Sequence, residues 1–232
     1  MLNETELNNL LDHLGTPEIG RDLVLDIRRN APVRQVRFNG GNVRHRYPSR
    51  KMARIIETES RSAEFRANIQ YEFDKNVLEY YPQPCCLDVW LHKNDTNKRS
   101  RVSHTPDFFL IQRDALWLVE WKLEKKLQKL AVKDPERYVR CGDHWRSPLL
   151  EEQLRESGIG YQLRSASEHP ALFIQNLQFL AQYLDEDCPS VRPGPLAAIR
   201  NQFKKQAVLG LCQLVDAAQE PFKSPSQTLP EE

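Results

Sequence analysis

The sequence predicts one α/β core of strands and helices, with a small helical region after it. Apolar residues repeat every fourth position over 65–73, which indicates an amphipathic helix. Several short strand patterns follow, and the run at 117–121 is so continuously apolar that we expect a strand covered on both faces. A charged helical stretch and one more strand pattern at 159–167 complete the core.

Length and composition exclude several classes of protein. The 232 residues suffice for one full domain with a small appendage, and 33 basic against 32 acidic residues leave a net charge of only +1. No apolar run approaches the roughly 18–20 residues of a membrane span, and the acidic N-terminus does not resemble a secretory signal. Five cysteines without Cys-x-x-Cys spacing argue against a disulfide framework or a zinc site. We therefore expect a cytoplasmic, reducing environment.

We expect the chain to divide into four segments with different compositions. They are an N-terminal segment at 1–56 that contains a basic arm at 28–54, an αβ core at 57–166, a helical region at 167–221 and a disordered tail at 222–232. The tail is rich in proline and serine and has too few apolar residues to fold.

The first helix of the core is predicted to have Ser60 or Ser62 as its N-cap and to end near residues 74–76. Strands are predicted at 77–84 and 86–91, then a polar hairpin loop at 92–101. Two further strands, at 104–112 and 115–122, would be joined by a tight turn at Arg113 and Asp114.

Charged helix and loop are predicted for residues 123–145, followed by a helix that Gly158 stops and by the last strand. The helical region begins at 167–170, where a proline lies near the first turn. A break near 185–195 separates its first helix from a second one, predicted at 196–218.

The basic arm concentrates positive charge in a nearly neutral protein. Residues 28–54 contain no acidic side chain and nine basic ones: Arg28, Arg29, Arg34, Arg37, Arg44, Arg46, Arg50, Lys51 and Arg54. Prolines and a glycine pair disfavour regular structure, so we expect an arm or irregular loop with at most a short hairpin. Eight of the nine are arginines, which pair bidentately with phosphate, and this favours nucleic acid over a merely solvated basic face.

Three carboxylates and one lysine are predicted to converge at one edge of the sheet. Glu64 lies early in the first helix, and Asp107 follows Pro106 at the head of a strand. Glu120 and Lys122 lie two residues apart on the next strand and therefore on one face. If the two strands pair through their tight turn, Asp107 lies opposite that end of the second strand.

This set of side chains suits metal-dependent phosphodiester hydrolysis. Mg²⁺ prefers oxygen ligands, commonly carboxylates together with water and phosphate oxygens. Asp107 and Glu120 would bind it, Glu64 would reach a first or second ion, and Lys122 would stabilise the developing negative charge. The alternative is an ordinary salt bridge between Glu120 and Lys122. A second Glu-Lys pair begins at Glu124, and we interpret it as the solvated start of a helix.

The order of these motifs resembles the restriction-endonuclease-like nucleases, and more narrowly the TnsA family of transposon endonucleases. The resemblance covers roughly residues 57–184. It depends on Ser62-Ala63-Glu64, Gln83-Pro84, Pro106-Asp107-Phe108 and Glu120-Trp121-Lys122, together with the late strand at 158–163 and the helix at 176–184. Some members have Gln at the position of Glu120, and glutamate here fits the general nuclease pattern.

The resemblance implies a mixed β-sheet core flanked by helices, together with a specific activity and specific partners. TnsA-like proteins are the endonuclease subunits of heteromeric cut-and-paste transposases in the bacterial cytosol and cut the 5′ ends of the transposon. A DDE-type transposase subunit cuts and joins the 3′ ends, and an AAA+ ATPase contacts the pair through the C-terminal region of the nuclease. Carried over to this chain, the site is Glu64, Asp107, Glu120 and Lys122 with Mg²⁺, for which Mn²⁺ could substitute.

Two neighbouring residues have open assignments. Gln83 could contact DNA or brace the site, or equally brace its own turn between two prolines. His104 could touch phosphate, although we expect a lone loop histidine to be solvated. The whole chain also leaves two other functions open, a stand-alone restriction or repair nuclease and a non-catalytic DNA-binding assembly module.

Overall fold

The computed structural model describes residues 1–34, 45–58, 63–93, 96–181, 183, 190 and 192–219. It divides into two compact units, Met1–Leu180 and Ala181–Glu232. The first unit therefore contains the N-terminal segment as well as the predicted core.

The chain is mixed α/β. The helices of the described part are α1 Glu4–His13, α2 Glu18–Arg29, α3 Glu64–Phe73, α4 Glu124–Lys133, α5 Pro148–Leu154, α6 Ala171–Ala181, α7 Pro193–Lys205 and α8 Leu211–Ala218. Its strands are β1 His45–Ser49, β2 Arg54–Thr58, β3 Val77–Pro82, β4 Leu87–Lys93, β5 Thr96–His104, β6 Phe108–Gln112, β7 Leu116–Lys122, β8 Val139–Cys141, β9 His144–Arg146 and β10 Gly160–Ser165.

Six of these strands form a mixed sheet in the order β3-β6-β7-β10-β9-β8. Strand β7 pairs antiparallel with β6 and parallel with β10, so it lies inside the sheet. The turn between β6 and β7 is closed by a hydrogen bond from the Gln112 amide to the Ala115 carbonyl oxygen (2.9 Å), which confirms the predicted tight turn. Leu118 and Val119 are fully buried although they point to opposite faces, so β7 is covered on both sides as predicted.

The N-terminal helices α1 and α2 pack into the core of the first unit. Leu7 and Leu11 of α1 and Val24 and Ile27 of α2 belong to the same buried apolar cluster as the central strands. Asn3 caps α1 by accepting a hydrogen bond from the Glu6 amide (2.9 Å). Residues 1–29 are thus part of the folded unit that carries the sheet.

Three local predictions were wrong. The predicted polar loop at 92–101 is largely strand, because β4 and β5 pair as an antiparallel ribbon through most of it. Antiparallel pairing satisfies the main-chain polar groups whatever the side chains are, so polar sequence did not end the strands. The loop predicted after α4 contains the hairpin β8–β9. The single helix predicted at 196–218 is two helices, α7 and α8, and the amide of Gly210 at their junction donates to Gln213 Oε1 (2.8 Å).

Other elements match their predictions closely. Helix α3, strand β3 and strand β10 lie where the patterns indicated, although the N-cap of α3 is Ala63 and not a serine. Gly158 ends the helical segment before β10 in a left-handed conformation with φ of 68°. Among the described residues, no helix has both the length and the apolarity that crossing a membrane requires.

Candidate active site

Asp107 and Glu120 meet where β6 begins beside the end of β7. Phe108 pairs with Val119 in the antiparallel register, which puts Asp107 opposite Glu120. The Asp107 carboxylate accepts a hydrogen bond at Oδ2 from the Trp121 amide (2.7 Å). The predicted pairing of these two strands is therefore correct, and it brings the two carboxylates together.

Glu120 and Lys122 form an ion pair on one face of β7. The Lys122 ammonium donates to Glu120 Oε1, and the exposed fractions of the two side chains are 15% and 7%. Burial is the largest single influence and disfavours ionisation of Glu120, but Lys122, His104 and Tyr161 together outweigh it and hold the pKa of Glu120 below its ordinary value. Glu120 also raises the pKa of Lys122 despite burial, so both groups are charged at neutral pH.

Helix α3 places Glu64 beside this pair of strands. Tyr71 of α3 accepts a hydrogen bond at its hydroxyl oxygen from Trp121 Nε1 (2.8 Å), which ties the helix to the end of β7. Burial raises the pKa of Asp107 well above its ordinary value, and the negative charges of Glu64 and Glu120 raise it further. The raised pKa of Asp107 is the electrostatic sign that the three predicted carboxylates share one region.

The carboxylates of this site are candidate ligands for a divalent cation. The described residues contain no group of three or more His, Cys, Asp and Glu side chains placed to hold a metal ion. Chemically the donors fit Mg²⁺, because they are carboxylate oxygens whose mutual repulsion a cation would relieve. The groups that would hold it are the carboxylates of Asp107 and Glu64 and the Lys122-bound oxygen of Glu120.

Gln83 contacts this site through its main chain. Its amide donates to the Asp107 carbonyl oxygen (2.8 Å), and its carbonyl oxygen accepts from the Val33 amide (3.1 Å). The residue has φ of 45°, a left-handed conformation that is uncommon outside glycine. Its backbone therefore braces the residue that carries the candidate carboxylate, between Pro82 and Pro84.

Asn68 lies one helical turn after Glu64 on α3. Its side chain is completely buried, and neither amide atom has a hydrogen-bond partner among the described residues.

The nine basic residues of the predicted arm have different surroundings. Arg28 lies in α2 and forms a salt bridge with Glu79, and Lys51 donates from Nζ to the carbonyl oxygens of Tyr71 (2.5 Å) and Asp74 (2.6 Å) at the end of α3. These two cations are engaged within the fold, so they are poorly placed for the phosphate contacts predicted for them.

The remaining arm residues are more accessible or lie elsewhere. Arg54 lies over the ring of Tyr81 (4.9 Å), and Arg46 pairs with Glu57 (3.5 Å) across the hairpin β1–β2. The exposed ones are Arg29, Arg34, Arg46 and Arg50. Arg37 and Arg44 lie outside the described residues. The described part of the arm is thus the end of a helix and a hairpin.

Three residues near Glu120 were missed or misjudged from the sequence. His104 is buried at the end of β5, contrary to the expectation of a solvated loop histidine. Tyr161 of β10 donates from its hydroxyl to Glu120 Oε2 (2.5 Å), and Arg137 lies beside His104. The alternation of β10 could have pointed to Tyr161 as an inward residue, whereas nothing in the sequence pairs Arg137 with His104.

The second Glu-Lys pair has the structural role expected for it. Glu124 begins α4 and pairs with Arg140 (2.9 Å), and Lys125 and Lys126 are exposed on that helix.

Comparison with known proteins adds no family to these observations. No protein-family model matches the chain, and no curated protein matches it.

Proposed function

We propose that this chain is a Mg²⁺-dependent DNA endonuclease with a restriction-endonuclease-like core, the nuclease subunit of a heteromeric cut-and-paste transposase. It would hydrolyse phosphodiester bonds at the 5′ ends of the transposon. The observation that carries the proposal is the meeting of Asp107 with Glu120 and Lys122 at the ends of β6 and β7. The TnsA-like order of motifs supports the narrower assignment to transposition.

Each side chain has a distinct part in the proposed reaction. A bound Mg²⁺ would polarise the scissile phosphate and neutralise charge that develops on it. Asp107, Glu64 and Glu120 would supply the carboxylates that hold the cation, and the repulsion that Glu64 and Glu120 exert on Asp107 would favour its entry. The Lys122 ammonium, which pairs with one oxygen of Glu120, can exchange that oxygen for a phosphate oxygen without leaving the site.

The proposed partners follow from the same resemblance. They are transposon-end DNA, a DDE-type transposase subunit and an AAA+ ATPase that would contact the helical region at 167–221. Exposed arginines in the described part of the arm, including Arg34 and Arg46, would add sequence-independent contacts to phosphate.

The ion pair also favours a second candidate, a DNA-binding assembly module without catalysis. Lys122 already neutralises Glu120, and the described residues include no preformed three-ligand metal group. Under this alternative the acidic residues would be dispensable, while the basic ones would not.

Mn²⁺ binding by the full chain in the presence of duplex DNA separates the two candidates. We expect the wild type to bind Mn²⁺ and Asp107→Asn to bind at least about 10-fold more weakly. Asp114→Asn is the matched control, since Asp114 lies in the β6–β7 turn and accepts a hydrogen bond from Asn76 (2.9 Å). Equal binding by all three proteins, or none in the wild type, would favour the non-catalytic module.

Cleavage assays on duplexes carrying transposon ends then test the role as a subunit. We expect cleavage that depends on a DDE-type transposase partner and on Mg²⁺ or Mn²⁺. Efficient cutting by the chain alone would instead identify a stand-alone nuclease.

A further inference from the structure

A line of hydrogen bonds reaches Glu120 from the side away from Lys122. Arg137 Nη2 lies 3.1 Å from His104 Nδ1, and His104 Nε2 lies 2.9 Å from the Tyr161 hydroxyl. His104 Nε2 is also 3.3 Å from Glu120 Oε2, the oxygen that accepts from Tyr161 at 2.5 Å. The line joins the loop after α4, the end of β5 and β10 to one carboxylate oxygen.

The donors in this line all point the same way. A guanidinium can only donate, so His104 Nδ1 must accept from Arg137, and the ring proton is then on Nε2. His104 Nε2 therefore donates toward Tyr161 and Glu120, while the Tyr161 hydroxyl donates to Glu120. Burial lowers the pKa of His104 to about 4, which is consistent with the neutral ring that this pattern requires.

The two oxygens of Glu120 thus have different surroundings. Oε2 is held by Tyr161 and His104, whose rings are buried and have little freedom to move. Oε1 is held by Lys122, a flexible side chain whose three donors can rotate. One oxygen is fixed, and the other is bound to a group that can exchange partners.

We propose that Arg137, His104 and Tyr161 are positioning residues that hold the Glu120 carboxylate at Oε2. Oε1 then keeps its position when the Lys122 ammonium moves to bind a phosphate oxygen. The proposal rests on the proposed nuclease function and adds to it the machinery that holds the Glu120 carboxylate. Hydrogen-bond partners behind a ligand set its orientation, and their loss typically weakens metal binding or activity by about 10–100-fold.

The first test uses two tyrosines with the same hydrogen bond. Tyr161→Phe removes the bond to Glu120, and Tyr81→Phe removes an equally short one, 2.5 Å, to the buried Glu79. We expect Tyr161→Phe to bind Mn²⁺ at least about 10-fold more weakly and to lower kcat for DNA cleavage, with KM for DNA unchanged. Tyr81→Phe should keep the Mn²⁺ affinity and the kcat of the wild type. Its melting temperature should fall about as much as that of Tyr161→Phe.

His104 provides a second variant in case Tyr161→Phe does not fold. His104→Gln keeps one donor and one acceptor and should retain most Mn²⁺ affinity, whereas His104→Leu should lose it as Tyr161→Phe does. A purely structural role would lower the melting temperature of Tyr161→Phe and Tyr81→Phe alike and leave Mn²⁺ affinity and kcat of both unchanged.

The outcomes separate this proposal from the function it rests on. If the wild type binds Mn²⁺ and cleaves while Tyr161→Phe and His104→Leu equal it, the positioning role is wrong and the nuclease function stands. If the wild type neither binds Mn²⁺ nor cleaves with its partner, both proposals are overturned.

Discussion

Two buried glutamates in one sheet have the same kinds of hydrogen-bond and ion-pair partners but differ in how far those partners balance their negative charge. Glu79 lies on the outer strand β3, and Glu120 lies on the inner strand β7. Each accepts a 2.5 Å hydrogen bond from a tyrosine hydroxyl, and each pairs with one basic side chain. The basic partner is Arg28 for Glu79 and Lys122 for Glu120.

In the Glu79 cluster, which consists of Glu79, Arg28, Tyr81 and Leu2, donors occupy both oxygens of the Glu79 carboxylate. Arg28 donates to both carboxylate oxygens, from Nε to Oε2 (2.9 Å) and from Nη2 to Oε1 (3.0 Å). The Leu2 amide adds a bond to Oε1 (2.6 Å), and Arg28 Nη2 also donates to the Leu2 carbonyl oxygen (2.6 Å). This planar fork of fixed donors ties the start of the chain and α2 to the sheet, and it leaves little capacity for a ligand.

The Glu120 cluster carries an excess of negative charge. Its partner is a single ammonium, and Asp107 lies directly across the strand pair. The pKa of Asp107 is raised by burial and by the charges of Glu64 and Glu120, which means that the site favours a proton or another cation. A buried carboxylate therefore indicates function only when its neighbours leave its charge uncompensated.

The strongest change that we predict is the loss of cleavage in Asp107→Asn. The amide keeps an oxygen to accept from the Trp121 amide but loses the charge, so the fold should persist. Removing one preorganised electrostatic group typically costs about 10²–10³ in kcat, and we expect at least that loss. Cleavage is measured with metal and partner present, and Asp114→Asn serves as the control. Undiminished cleavage would mean that the Glu120 cluster is as structural as the Glu79 cluster.

The second prediction compares the stabilities of Arg28→Met and Lys122→Met. Breaking a buried pair by removing one partner typically costs about 3–5 kcal/mol, and Arg28→Met should reach this range because its hydrogen bonds to Glu79, Tyr81 and Leu2 all disappear. Lys122→Met should cost less, since Tyr161 and His104 still hold Glu120. Urea unfolding measures both free energies. Equal losses would contradict the view that Arg28 is fixed on Glu79 whereas Lys122 can exchange Glu120 for another partner.

Sequence patterns predicted the site better than its support. Strand period and a tight turn were sufficient to place Asp107 opposite Glu120 and to put Lys122 on the same face, because these relations depend on neighbouring strands alone. The contribution of Glu64 required only that the preceding helix pack on the end of β7, as Tyr71 and Trp121 show.

The relations that were missed join distant parts of the chain. Arg28 meets Glu79 across 51 residues, and His104 meets Tyr161 across 57. Arg28 was therefore counted as part of a basic arm, and His104 as a loop residue. Both assignments followed local composition, whereas burial and pairing are set by tertiary contacts that no local period encodes.

The pH dependence of stability gives a third, smaller effect. The pKa of Asp107 is raised in the folded state, so the folded protein binds a proton more tightly at this residue than the unfolded chain does. Stability from this residue is therefore greatest at low pH and is lost as the pH rises through the folded pKa. Without metal, Asp107→Asn should be more stable than the wild type at neutral pH, and the difference should shrink as the pH falls.

Thermal melts from pH 7.5 to pH 5 check this prediction, with Mn²⁺ as the complementary condition. A cation at the site replaces the missing proton, so Mn²⁺ should raise the melting temperature of the wild type and not that of Asp107→Asn. A constant difference between the two proteins at every pH would remove the electrostatic distinction between Asp107 and the Glu79 cluster.

The weakest change that we predict is in the salt dependence of DNA affinity. It tests whether Arg28 contacts DNA or stays paired with Glu79. Each phosphate contact contributes about 0.9 to the slope of log affinity against log salt concentration. Arg34→Gln should lower that slope by about one contact, because Arg34 is exposed. Arg28→Met, measured where circular dichroism shows it folded, should leave the slope unchanged, because its guanidinium is already committed to Glu79. An equal fall of the slope in both variants would mean that Arg28 contacts DNA and that it can exchange Glu79 for a phosphate.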